Sequence, residues 1–227
     1  MRCIAIIPAR GGSKGIRRKN MRILGGQPLL GWTIQAALQS KCIDYCWLTT
    51  EDLEIAEYGR SLGIQVISRP VDLARDDTPT APVVLHALDA MGIHSCGKEE
   101  IVLLQPTSPL RNSLQIDECI RSAREEHFNC AVSLTEVNHT PYKMFVEEEE
   151  TLTPLMGQEY FEMPRQNLPK TWRINGAIYY IHSDVFLKKQ RFINFPFYPY
   201  FMDEESSVDI DSESDLLYAE YLLRKKL

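Results

Sequence analysis

Three features of the chain predict an α/β fold in three layers, with a mostly parallel sheet between two sets of helices. Apolar runs of strand length alternate with amphipathic stretches of helix length, the first half repeats this alternation without a break, and glycine or proline stands at most of the joins. A chain of 227 residues, 44% hydrophobic and 25% charged, has the composition of one globular domain with a sizeable core, so residues 1–227 are read as a single domain.

The elements follow in order. Residues 3–7 are continuously apolar, as expected for a strand covered on both faces. "PLLGWTIQAALQS" (Pro28–Ser40) has helical spacing, and "YCWLTT" (Tyr45–Thr50) is the next strand. "DLEIAEYGRSLG" reads as a helix capped by Gly63, "IQVISRP" as a strand stopped by Pro70, and "TAPVVLHALDAMG" as a helix ending at Gly92. "EIVLLQP" is a buried strand closed by Pro106, "SLQIDECIRSAREEH" a helix with Ser113 as N-cap, and "NCAVSLTEV" another strand. From Asn138 to about Trp172 the alternation lapses into prolines, aromatic residues and the acidic run Glu147–Glu150, which reads as a solvated turn. This stretch, bounded as residues 139–173, is expected to be an inserted arm. "RINGAIYYIHSDVF" returns to a strand, "FYPYFMD" is a further strand, and "SESDLLYAEYLLRKK" closes the chain as an amphipathic helix.

Strands that alternate with helices in this way form a Rossmann-like sheet, whose ligands lie beyond the strand C-termini. That places four segments on one rim: the glycine loop after the first strand, "TTED", "RPVDLARDDT" and "QPTSPLR". The net charge of −6 argues against a broad nucleic-acid or membrane-binding surface. Yet Arg10, Lys14, Arg17, Arg18, Lys19 and Arg22 crowd the first loop. Gly11 and Gly12 let successive N–H groups approach phosphate oxygens, so the loop is read as a cradle for a small polyanion such as a triphosphate. It matches neither the Walker pattern nor GxGxxG. No apolar run is long enough to span a bilayer, and no secretory leader precedes the first strand, so a cytoplasmic protein is expected. Cys3, Cys42, Cys46, Cys96, Cys119 and Cys130 show no metal-site spacing and read as reduced, mostly buried thiols. The five histidines share no ligand spacing.

The segment "PARGGSKGIRRKN" closely resembles the signature of the acylneuraminate cytidylyltransferases, and the resemblance continues in order through "RPVDLARDDT", "LLQPTSPLR", "PRQNLP", "RINGAIYY" and "SVDIDSESDL". It implies a nucleotidyltransferase-type fold and transfer of CMP from CTP to the 2-hydroxyl of a nonulosonic acid, N-acetylneuraminate first, with legionaminate, pseudaminate and then Kdo as alternatives. A glycosyltransferase using Asp209–Asp211 as a DxD pair and a non-catalytic nucleotide-binding protein are the rival classes. By the same resemblance Arg10, Gly12, Ser13, Lys14, Lys19 and Asn20 surround CTP, with Lys19 at the α-phosphate. Arg17 stands where the family often has proline. Arg69 reads cytosine with its forked donors, and Thr78 and Thr80 flank base and ribose. Thr78 is equally readable as the N-cap of the next helix.

Gln105, Thr107 and Ser108 contact the sugar in this scheme, although a proline-bounded turn explains the same residues. Arg165 in the active site, and Arg173 and Tyr179 against the sugar, suit an acidic substrate, with salt bridges in the arm as the competing account. Asn175 shapes the pocket floor. The resemblance also implies a homodimer with composite sites, in which side chains near Phe192 reach the partner's sugar pocket. Asp209 and Asp211, two apart in an extended stretch, put both carboxylates on one side and are read as magnesium ligands, with helix capping by Asp211 as the alternative. The expected catalytic set is Lys19, Arg165, Asp209 and Asp211.

Overall fold

The computed structural model describes residues 1–94 and 99–225. In the first half β1 (Cys3–Pro8) leads through the glycine loop to a small hairpin of β2 (Ile23–Leu24) and β3 (Gln27–Pro28), then α1 (Leu29–Gln39). There follow β4 (Tyr45–Thr50), α2 (Leu53–Ser61), β5 (Gln65–Ser68), α3 (Thr80–Ala90), β6 (Glu100–Leu103), α4 (Ser113–Glu125) and β7 (Cys130–Glu136). The remainder comprises β8 (Phe145–Glu148), β9 (Thr151–Pro154), β10 (Trp172–His182), α5 (Ser183–Lys189), β11 (Tyr198–Phe201) and α6 (Glu213–Lys225).

Seven strands form one sheet in the order β11-β7-β10-β6-β1-β4-β5. β10 alone runs against its neighbours β6 and β7, and every other pairing in the sheet is parallel. The expected mostly parallel α/β sandwich is therefore the observed one. Side chains of β1 show why: Cys3, Ala5 and Ile7 enter a core with α1, α2 and α4, whereas Ile4 and Ile6 enter a second core with α3 and α5. A strand buried on both faces must be apolar throughout. A third cluster joins Ile16, Leu24 and Leu29 to Ile210 and to Leu216, Ala219 and Leu222 of α6. It clamps the end of the chain beneath the glycine loop, which positions the site.

Four local expectations are corrected. The N-cap of α4 is Asn112, not Ser113: Asn112 Oδ1 accepts from Gln115 N–H at 2.9 Å, and Gln115 Oε1 accepts from Asn112 N–H at 3.1 Å, a complete capping box. The N-cap of α3 is Pro79 without a side-chain bond, so Thr78 is not the cap; its hydroxyl instead lies 3.4 Å from Asp72 O. The stretch read as one strand through Phe186 is β10 followed by the short helix α5, whose Phe186 is fully buried. Glu147 and Glu148 belong to β8, while Glu149 and Glu150 form the turn, both at positive φ.

β8 and β9 pair only with each other, as a hairpin separate from the main sheet. Trp172 and Arg173, expected at the end of the arm, are already rungs of β10 opposite Glu136 and Thr135. The five described cysteines are free thiols, four of them buried, and burial pushes Cys46 up to about 12; Cys96 lies outside the described residues. Among the described residues no helix is long and apolar enough to cross a membrane.

Candidate active site

A cleft of about 340 Å³ opens at the C-terminal ends of β1, β5 and β6. Of the residues expected at a nucleotide, Arg10, Gly12, Ser13, Lys19, Asn20, Arg69, Thr78 and Thr80 all line it. Lys14 projects nearby into solvent and pairs with Asp76 at 3.6 Å. The loop is held by its own partners. Asn20, itself buried, donates to Arg10 O at 2.9 Å, and Lys19 donates to Ile210 O at 2.7 Å and to Asp211 Oδ1 at 3.0 Å. Arg10 pairs with Asp76. Gly11 admits no side chain, because an added Cβ would collide with Asp52, and one on Gly15 would meet the Asp211 carbonyl.

Arg69 is buried at the side of the cleft, with one guanidinium nitrogen 2.9 Å from Glu51 Oε2 and its Nε without a partner. At the other end, Gln105, Thr107, Asp209 and Asp211 converge. Asp209 Oδ1 is buried and unpartnered. Burial raises the Asp209 carboxyl above its ordinary range, opposed by the Thr107 hydroxyl and raised further by Asp211. The charge of Arg173 also reaches Asp209, and Tyr179, raised chiefly by burial, feels Asp209 in turn. Gly176, at φ +77°, leaves room at this corner: a Cβ there would sit 2.8 Å from Gln105 Oε1 and 4.0 Å from Asp209 Oδ2.

The remaining expected residues lie elsewhere. Ser108 is fully buried, its hydroxyl unpartnered. Asn175 is 1% exposed and faces away from solvent, bonded to Ser133 Oγ at 2.6 Å and Ser207 Oγ at 2.8 Å; it locks the irregular stretch of β10 between Ile174 and Tyr179. Phe192 is 8% exposed and packs on Tyr179 and Phe186 of its own chain, so it is a core residue rather than a side chain reaching outward. Arg165 lies away from the cleft, bonded to Asn138 O in a depression with Glu136, Thr140 and Lys170. Sequence reasoning assigned no role to Glu51, Asp76 or Arg75, which border the cleft region or its residues. Their only signal was membership of the rim segments "TTED" and "RPVDLARDDT".

The fold is nucleotidyltransferase-like and is shared with solved structures. A solved structure of CMP:2-keto-3-deoxy-manno-octonic acid synthetase complexed with CTP superposes with a TM-score of 0.75 over the whole of both chains at 14% identity. The chain belongs to the cytidylyltransferase family, whose sequence pattern matches residues 4–222. It is 34% identical over 224 residues to the N-acylneuraminate cytidylyltransferase of Escherichia coli O18:K1:H7, matching 98% of this chain but 52% of that protein. It is also 32% identical to the CMP-N,N'-diacetyllegionaminic acid synthase of Legionella pneumophila, across 98% of this chain and 97% of that one. The chain thus spans about half the length of the first of these relatives.

Proposed function

We propose that this chain transfers CMP from CTP to the anomeric 2-hydroxyl of a nonulosonic acid, with N-acetylneuraminate as the first sugar to try. The hydroxyl oxygen gives up its proton to solvent and attacks the α-phosphorus, the bond from that phosphorus to the bridging oxygen breaks, and pyrophosphate leaves. The observation that carries this reading is the convergence of the basic glycine loop, Arg69 and the Asp209–Asp211 pair on one cleft. Joining an acidic sugar to a triphosphate demands charge neutralisation and alignment, and these residues supply both.

In this reading Arg10, Ser13, Lys14 and the Gly12 backbone meet the triphosphate, and Lys19 faces the α-phosphate. Arg69 donates to the two acceptors of cytosine, with Thr78 and Thr80 beside base and ribose. Gln105 and Thr107 face the sugar, and Arg173 and Tyr179 border it from β10. Asp209 and Asp211 fit a hydrated magnesium ion, since both offer hard oxygen donors to the cleft and Asp209 has a buried oxygen without a partner. When bound, such an ion supplies counter-charge to the phosphates and acidifies a coordinated hydroxyl. Among the described residues no cluster of three or more His, Cys, Asp or Glu side chains is placed to hold a metal, so Asp209 and Asp211 are the side chains that would hold the ion, and the rest of its ligands would have to come from outside such a cluster. The arm, exposing Leu152 and Met156, supports a homodimer, which we place in the cytoplasm and in which Arg165 belongs to a sugar site shared with the partner.

Legionaminate is the second reading, favoured by a relative of nearly equal identity aligned along its whole length. Pyrophosphate release from CTP and magnesium, measured with each nonulosonic acid and Kdo separately, tests both. Turnover of one nonulosonate with the product mass of its CMP-sugar is expected. A folded protein that releases no pyrophosphate with any of them refutes the reading, and a DxD glycosyltransferase likewise releases none from CTP.

A further inference from the structure

β4 lies between β1 and β5 in the sheet, so the residue that follows its last rung sits between the glycine loop and the end of β5. That residue is Glu51. Its two carboxylate oxygens are divided: Oε1 accepts from the Gly11 backbone N–H at 2.7 Å, and Oε2 accepts from Arg69 Nη2 at 2.9 Å. The Glu51 side chain is 15% exposed and that of Arg69 only 4%, so both bonds are shielded from competing water. Arg69 Nε remains buried and unpartnered where the side chain borders the cleft.

We propose that Glu51 is the positioning residue that couples nucleobase selection to the phosphate loop. Resting on the CTP reading above, it deepens that reading by naming what orients Arg69. Cytosine presents a carbonyl oxygen and an unprotonated ring nitrogen, both acceptors; uracil presents a carbonyl oxygen and a ring N–H, a donor. A guanidinium whose one arm is tied back to Glu51 and whose remaining donors face the base therefore accepts cytosine and clashes, donor against donor, with uracil. The same carboxylate holds Gly11 N–H, so the orientation of the base reader and the shape of the loop are set by one side chain. Both partners of Glu51 donate. Only a group with two acceptor oxygens and no donor satisfies them together.

That requirement makes Glu51→Gln a sharp test, because the amide keeps the shape but turns an N–H toward either Gly11 or Arg69. Calorimetric titration of the intact protein with CTP, UTP and inorganic triphosphate is the measurement, on wild type, Glu51→Gln, Glu51→Asp and the exposed control Glu57→Gln, with thermal melts alongside. The wild type and the control are expected to prefer CTP over UTP. Glu51→Gln is expected to bind CTP roughly tenfold more weakly and to lose most of that preference, as follows from removing a hydrogen bond to a charged group. Inorganic triphosphate, which has no base, is expected to weaken less.

A purely structural Glu51 would weaken all three ligands alike and leave the CTP-to-UTP ratio intact, and that result overturns the proposal while leaving the CTP reading standing. Wild type that binds CTP no better than UTP overturns the CTP reading itself and the coupling with it. Should Glu51→Gln melt early, Glu51→Asp decides: it keeps the charge but is too short to span both donors, so an unchanged ratio there also overturns the proposal.

Discussion

Arg18 has φ 57° and ψ 37°, the left-handed region that a non-glycine residue keeps only where its contacts hold it. Those contacts are hydrogen bonds of 2.6 and 3.2 Å to Asp52, with Glu54 alongside. Asp52 is also the N-cap of α2, accepting from Ile55 N–H at 3.0 Å. The Arg18 hydrogen bond holds the Asp52 carboxyl below its usual range, partly opposed by burial and helped by Ile55 N–H. A depressed carboxyl contributes stability that is present above its unfolded pKa and is lost as pH falls through the folded one. Asp52→Asn keeps an acceptor for the cap but discards the charge. We predict that it lowers stability at neutral pH by only about 0.5 kcal/mol, since Arg18 is partly exposed, and that the difference from wild type closes below about pH 4. Denaturant unfolding across pH checks this, and a gap that persists in acid would contradict it. Residues of this kind were poorly legible in the sequence, because Arg18 read only as one more cation for a ligand. Arg111 was less legible still: it looks like a surface charge, yet it is 2% exposed and donates to Ala177 O at 2.8 Å and Thr33 Oγ1 at 2.7 Å. Burial pulls its guanidinium down to about 9. Nothing in composition or spacing distinguishes a buried arginine bonded to a carbonyl and a hydroxyl from an exposed one.

Elements were legible wherever a single periodicity ran for several residues between clear stops. β1, β4, β6 and α1 to α4 came from apolar runs and helical spacing, with Gly63 and Gly92 both at positive φ just past their helices. Failures came where two signals compete. "RNS" offers two N-cap residues in succession, and the choice of Asn112 is made by Gln115, whose side chain returns the bond that closes the capping box. Asn112→Ala is accordingly expected to destabilise the protein by about 1 kcal/mol, and Ser113→Ala, inside the first turn, by far less. Equilibrium urea unfolding of the two variants separates them; equal effects would mean that the cap is shared. α5 escaped because seven residues are too few for a period to show, and because it follows β10 without any intervening turn signal. The irregularity of β10 between Ile174 and Tyr179 escaped for another reason: it depends on Ser133, a residue of β7 whose hydroxyl accepts from Ile178 N–H at 2.8 Å. A contact across 45 residues leaves no local mark.

At the scale of the molecule, alternation of strand and helix was enough to place four segments on one rim, and the cleft indeed gathers residues from the glycine loop, "RPVDLARDDT" and "QPTSPLR". The strand order was not legible, since β10 inserts between β6 and β7 against chain order, and what the arm does depends on a surface that the isolated chain leaves bare. In the hairpin, Phe145 pairs with Pro154 and Leu152 with Glu147, which puts Phe145 and Leu152 on one face, 55% and 68% exposed. Leu155 and Met156 follow, both exposed, and the tilted ring pair of Trp172 and Phe201 is exposed as well. Large apolar side chains left in water in this number are costly and point to an association site. If the partner is a second copy, sedimentation equilibrium should give twice the protomer mass at micromolar concentration. Leu152 and Leu155 are 68% and 48% exposed, so Leu152→Glu with Leu155→Glu should leave the fold intact, dissociate the dimer and abolish sugar turnover. CTP binding should survive the same change, because the cleft residues proposed above to hold the nucleotide do not include the arm. A double variant that remains dimeric moves the interface off the arm; one that becomes monomeric yet still makes the CMP-sugar shows that each chain holds a whole site by itself.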